Sequence, residues 1–262
     1  MKTGSHMRTF VCALGLFASG TAYSLEWSAN QIEYLYGNQF HEPFNAVPVE
    51  KSTVTFQHAS GYSLGKNFAF LDLLQSGASD RNAFEYYGEG YTSFSLGKQG
   101  WVQPKGLVKD VSLTAGVNFG EKNYPTYTVS PRVLLVGPTI DLAVPGFTFV
   151  NVNVLAYVNR GLFAGRDNGC HATTWQITPA WNTDFSLSGE KFTFEGFLDL
   201  IGAHGTCAQR LITQPRIRWN IGDHFGQPDR LFLGIEYQYW KNKFGIKGEM
   251  ERSPQLFLML KL

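Results

Sequence analysis

Apolar and polar side chains alternate with a period of two along most of this chain. They do so in segments set apart by Gly, Pro, Asn and Asp. The pattern is plainest from Leu231 to Tyr239. There Leu231, Leu233, Ile235, Tyr237 and Tyr239 share one face, while Gly234, Glu236 and Gln238 share the other. Ile217 and Trp219 likewise oppose Gln214, Arg216 and Arg218, and Trp175, Ile177, Pro179 and Trp181 oppose Thr174, Gln176, Thr178 and Asn182. Each segment is allowed about ten residues, the length of a tilted strand that crosses a bilayer. Twelve strands result, over 27–36, 52–60, 66–75, 84–96, 110–120, 126–136, 147–159, 172–184, 191–202, 209–219, 230–241 and 253–262. Pro131, Pro179, Pro215 and Pro254 fall inside or at the start of segments, where a missing N–H weakens a ladder. Gly137 to Gly146, with Pro138 and Pro145, reads as a turn.

A soluble sandwich alternates too, so the polarity of the faces decides. The apolar face tends to end in Trp or Tyr, as in the aromatic girdles of membrane barrels. The opposite face carries Glu, Arg, Asn or Gln in nearly every segment. Small soluble barrels fill their interiors with apolar side chains, whereas a membrane barrel is apolar outside and polar within. The expected fold is therefore all-β, a transmembrane antiparallel β-barrel of about twelve strands. An even strand number brings both termini to one side of the membrane. The closing run Leu256-Phe257-Leu258-Met259-Leu260-Lys261-Leu262 resembles the C-terminal strand read by the barrel-assembly machinery.

Composition sharpens this picture. Charged residues make up 16% of the chain and aromatics 15%, with 28 glycines, which suits a chain half facing lipid and half turn. No apolar run reaches the length of a membrane-crossing helix. The net charge of +1 gives no reason to expect nucleic acid as a partner. Lys2 and Arg8 precede a short apolar run, and Ala22 and Ser24 suit a cleavage site after Ser24. Residues 1–24 thus read as a secretory signal peptide and 25–262 as one exported barrel domain. Gly4-Ser5-His6-Met7 has the look of a cloning scar. Cys12 leaves with the signal, so Cys170 and Cys207 remain. With twelve strands both fall in connections on the same, outward side, where a disulfide is geometrically possible and two free thiols are the alternative.

The run Thr53-Val54-Thr55-Phe56-Gln57-His58-Ala59-Ser60-Gly61-Tyr62-Ser63-Leu64-Gly65-Lys66-Asn67-Phe68-Ala69-Phe70-Leu71-Asp72-Leu73 resembles the early hairpin of the Tsx-type nucleoside channels. Tyr86-Tyr87-Gly88-Glu89, Ser93-Phe94-Ser95-Leu96, Trp27-Ser28-Ala29-Asn30 and Tyr34-Leu35-Tyr36-Gly37 are similar to that group as well. The good matches cover about a quarter of the chain. Gln57 stands where a glutamate is expected, which bears on solute preference more than on fold, and Leu262 where an aromatic is usual. The resemblance implies a monomeric twelve-stranded barrel of the bacterial outer membrane, without cofactor. Its narrow pore would pass nucleosides by passive diffusion, amid outer-membrane lipid and lipopolysaccharide.

A nucleoside carries a flat base, several hydroxyls and no net charge. A pore that prefers it needs aromatic side chains to stack the base and polar ones to bond the sugar. By alternation the lumen candidates are Gln31, Glu33, Gln57, Phe68, Phe70, Asp72, Glu85, Tyr87, Glu89, Arg132, Asn151, Asn153, Glu195, Arg216, Arg218, Glu236 and Gln238. The bland reading of the charged members is that they pair across the lumen. The phase of Phe68 and Phe70 stays open, since Ala69, Leu71 and Leu73 are apolar too. Two other functions compete. One is a porin of other selectivity. The other is an outer-membrane phospholipase using the His58-Ala59-Ser60 spacing, although no third catalytic residue is evident and the pair falls near the periplasmic end of its strand. His41, His171, His204 and His224 read as surface histidines in loops, and no metal-ligand spacing is present.

Overall fold

A computed structural model describes residues 24–43, 45–124, 127–163 and 170–262. The signal-peptide and cloning-scar assignments fall on residues outside these, apart from Ser24. The described chain is a closed antiparallel barrel of twelve strands. In chain order they are β1 Leu25–Phe40, β2 Val49–Tyr62, β3 Gly65–Ser76, β4 Phe84–Ser95, β5 Val108–Tyr124 and β6 Tyr127–Leu142. They continue as β7 Phe149–Phe163, β8 Thr173–Leu187, β9 Glu190–Ile201, β10, β11 Leu231–Lys241 and β12 Met250–Lys261. Strand β10 comes in two pieces, Arg210–Thr213 and Arg216–Trp219, both paired to β9 and β11. Pro215 supplies the interruption, because it has no N–H for a ladder. Its carbonyl still accepts from Tyr237 N at 3.0 Å, so the strand direction is kept.

Each strand pairs with its successor, and β12 returns to β1 from Gln31 opposite Lys261 to Gly37 opposite Gln255. The sheet therefore has no free edge. The start of β1 and the end of β12 lie at one end, called here the terminal end, and the other is the distal end. At the β8–β9 connection, Ser188-Gly189, φ values of 52° and 86° give the twist that a two-residue hairpin needs.

The polarity of the two faces is inverted relative to a soluble barrel. Leu113, Leu134, Val136, Ile235 and Leu256 stand on the outer wall, each at least half exposed. Glu33, Thr55, Thr114, Gln176, Asn182 and Glu236 face inward and are buried. Water cannot solvate such an outer wall favourably, whereas lipid can, so this is the arrangement of a membrane barrel. Among the described residues, no helix is long and apolar enough to cross a membrane.

Three expectations need correction. Arg132 does not face the lumen: it pairs with Phe119 on the outer wall and is exposed. The β6–β7 register shifts on both sides of Arg132, and an irregularity of one residue moves a side chain to the other face. His204 is a buried histidine, its Nδ1 2.9 Å from Gly202 O and its ring against Tyr157. The turn expected over 137–146 starts later, since β6 runs on to Leu142.

Cys170 and Cys207 form a disulfide that joins the β7–β8 and β9–β10 connections at the distal end, with Cα atoms 5.2 Å apart. Disulfides commonly contribute about 2–4 kcal/mol. Replacing both cysteines by serine is expected to lower the unfolding free energy by that order, measured as a shift of the urea midpoint. Two free thiols in protein recovered from membranes would contradict the pairing.

Candidate functional site

The barrel encloses a cavity of about 1010 Å³. Its lining alternates along every strand because the residues opposite each other across a ladder share a face. Gln57 pairs with Phe70, Phe70 with Glu89 and Glu89 with Asn118, so all four point inward. This register also settles the phase of β3. Phe68, Phe70 and Asp72 face the lumen, and Ala69, Leu71 and Leu73 face out.

One wall is a ladder of charges from β1, β9, β10 and β11. The Arg216 guanidinium lies 2.8 Å from Glu33, 2.8 Å from Glu195 and 3.7 Å from Glu236. Arg218 adds a second contact to Glu195 at 3.0 Å. Neutral amides take up further carboxylate oxygens, with Gln31 donating to Glu33, Asn182 to Glu195 and Gln255 to Glu236. Arg216 also lies over the Phe257 ring and Arg218 over Phe232, which shields both from water.

The opposite wall, from β3, β4 and β5, is aromatic and acidic. Phe68, Phe70 and Tyr87 form a chain of rings with centroid spacings of 6.1 and 5.9 Å. Asp72 accepts from Thr55 at 2.6 Å. Glu89 accepts from Tyr87, from Tyr91 at 2.8 Å and from Asn118 at 2.9 Å. On the β8–β9 side, Asp199 likewise accepts from Thr178 and Gln176. Hydroxyls and amides therefore do the bonding here. Among the described residues, none of these three carboxylates has a lysine or arginine within 4.0 Å.

Most of the residues expected in the lumen come together in this cavity: Glu33, Gln57, Phe68, Phe70, Asp72, Glu89, Asn151, Asn153, Glu195, Arg216, Glu236 and Gln238 all line it. Gln31, Tyr87 and Arg218 lie just behind its surface, held by the bonds above. Glu85 faces inward too, but it bonds to Lys51 beyond the distal end of the cavity. Tyr91 and Asp199 join them, and the alternation through Glu89 and Glu195 points to both.

His58 and Ser60 lie on the outer wall, not in the lumen. Register brings Asn30 opposite His58, and the three side chains form a relay: Asn30 Oδ1 to His58 Nδ1 at 2.8 Å, then His58 Nε2 to Ser60 Oγ at 3.0 Å. A third group is therefore present where none was expected. Even so, Ser60 is only 3% exposed and also accepts from Asn67. The backbone of β2 is committed to ladders on both sides, which leaves no pair of N–H groups for an oxyanion. Among the described residues, no group of His, Cys, Asp or Glu is arranged to hold a metal ion.

No family model and no curated protein matches the chain. Solved structures resemble it in fold. The KdgM porin is 8% identical over 88% of this chain and 98% of its own, with a TM-score of 0.44. The NanC porin is 9% identical over 89% and 100%, at 0.47. The translocator domain of the autotransporter NalP from Neisseria meningitidis is 15% identical over 94% and 90%, at 0.41.

Proposed function

We propose that the protein is a passive channel of the bacterial outer membrane for nucleosides or similar small polar solutes. One observation carries this reading: an inside-out barrel encloses a cavity whose aromatic wall, Phe68, Phe70 and Tyr87, faces a ladder of sugar-bonding groups, Glu33, Arg216 and Glu236. A base can stack on the first while ribose hydroxyls bond to the second. A site of this kind holds its solute loosely enough to release it, as conduction requires. The terminal end then faces the periplasm and the distal loops face outward. The protein works as a monomer, placed in its membrane by the barrel-assembly machinery and surrounded by lipid and lipopolysaccharide. We assign no catalytic role to Asn30, His58 and Ser60.

Proteoliposomes test this directly. Labelled adenosine is expected to enter faster than glucose, and protein-free vesicles should admit neither. Equal rates for both solutes would leave a general porin.

A porin of different selectivity is the second reading, favoured by the charge count in the cavity. Among the described residues nine carboxylates line it, Glu33, Asp72, Glu89, Glu195, Asp199 and Glu236 among them, against the four cations Lys66, Lys98, Lys109 and Arg216. Charged rings in a narrow pore select by sign. The reversal potential in a KCl gradient is therefore expected on the cation side, and an anion-selective potential would contradict the assignment of these side chains to the pore.

A further inference from the structure

The two ends of the lumen differ sharply. At the terminal end the inward-facing charges are open to water: the side chains of Lys66 and Lys98 are 34% and 37% exposed. At the distal end the residues that would line a mouth are covered. Glu42, Asp80, Lys122 and Lys243 are each at most 2% exposed. Across the barrel, His204 and Arg210 are buried as well. The cavity stops beneath them.

An ion cluster fills the space. The Glu42 carboxylate, from the β1–β2 connection, receives Lys51 of β2 at 2.6 Å, Lys122 of β5 at 2.8 Å and Lys243 at 3.2 Å. Lys243 belongs to the β11–β12 connection. It also bonds Glu251 at 2.6 Å and the carbonyl of His41 at 2.8 Å. Lys122 reaches Asp80 in the β3–β4 connection at 2.7 Å, and Lys51 reaches Glu85. Three separate connections are thus tied to the barrel wall and to one another across the mouth.

We propose that this cluster is a latch that closes the outward mouth, and that solute passes only when the connection carrying Lys243 has swung away. Chemistry favours a latch over a permanent plug. Opening an apolar plug exposes hydrocarbon to water, but opening this one exchanges ion pairs for hydration. Buried ion pairs contribute little net stability against their hydrated state, so closed and open forms stay close in free energy. The moving piece is also well defined. Phe244 packs on the disulfide and on Trp240, and Gly245, at a φ of 80°, fits only because it lacks a Cβ that would run into Cys207 Sγ. Burial disfavours the charge on Glu42, but Lys243, Lys51 and Lys122 outweigh it and hold that carboxyl well below its usual range. Its contribution to closure is complete above the ordinary carboxylate pKa and is lost only as pH falls through the lowered one. Across the neutral range Glu42 remains ionised.

The test uses the intact protein in planar bilayers, comparing wild type with Lys243→Met, Glu42→Gln and the control Lys191→Met, which breaks an exposed pair at the terminal end. The first two are expected to raise mean conductance several-fold by prolonging openings, and the control to leave it unchanged. Wild-type conductance already as large as that of folded Lys243→Met or Glu42→Gln protein would overturn the latch. A second readout does not depend on conduction. Leu74→Cys places a thiol in the cavity below the cluster. A membrane-impermeant maleimide added outside should label it slowly in the latched protein and several-fold faster with Lys243→Met. Equal, fast labelling in both would overturn the proposal. Faster labelling without conductance in any variant would uphold the latch and count against the channel reading instead.

Discussion

Replacing Arg216 by methionine is expected to lower the stability of the folded barrel by about 3–5 kcal/mol, the usual cost of removing one partner from a buried ion pair. The guanidinium is the hub of one lumen wall. Without it Glu33, 1% exposed, loses its cation, Glu236 loses its ion-pair partner, and Glu195 keeps only Arg218. Methionine fills a similar volume, so the loss is electrostatic rather than a cavity. Lysine at this position should recover only part of the loss, because one ammonium cannot reproduce a fork that reaches carboxylates on two sides. Adding Glu33→Gln and Glu236→Gln to Arg216→Met should restore stability by removing the charges left without a partner. The measurement is the urea midpoint of unfolding in lipid vesicles, followed by the heat-modifiable gel shift. A loss within about 1 kcal/mol, the value of a surface pair, would mean that the ladder is well hydrated and does not hold the wall together.

The second large effect is expected at Phe70. Its ring lies between Phe68 and Tyr87 on the aromatic wall. Stacking on an aromatic side chain contributes about 1–3 kcal/mol per base. Phe70→Ala should therefore raise the adenosine concentration that half-blocks ion conductance by about 5- to 150-fold. The ionic conductance itself should stay the same or rise, since a large side chain leaves the lumen. Phe56→Ala is the matched control, because Phe56 is on the same hairpin but 44% exposed on the outer wall. Equal shifts in both variants would place the effect in the fold of the hairpin and not in solute contact.

The architecture was largely legible because strand periodicity depends on local sequence alone. Leu231 to Tyr239 and Leu256 to Leu262 declare their faces without reference to any neighbour, and all twelve expected strands are present. The lumen residues followed by counting in twos. Counting fails where the backbone slips, and Arg132 lies at such a slip. It also fails where both faces are apolar, as in Phe68 to Leu73, until pairing with Gln57 and Glu89 fixes the phase. Contacts between strands needed the register. Nothing local connects Asn30 to His58, or Arg216 to Glu33. The distal cluster was the least legible part. Glu42, Asp80 and Lys243 sit in connections, where no periodicity says which way a side chain points.

The measurement that tests the central claim most directly is the conductance of the refolded protein in planar bilayers, titrated with adenosine, thymidine and glucose. A small conductance that falls saturably with either nucleoside and not with glucose is the predicted result. A conductance indifferent to all three would contradict nucleoside recognition in the lumen and leave a porin whose aromatic wall serves another solute.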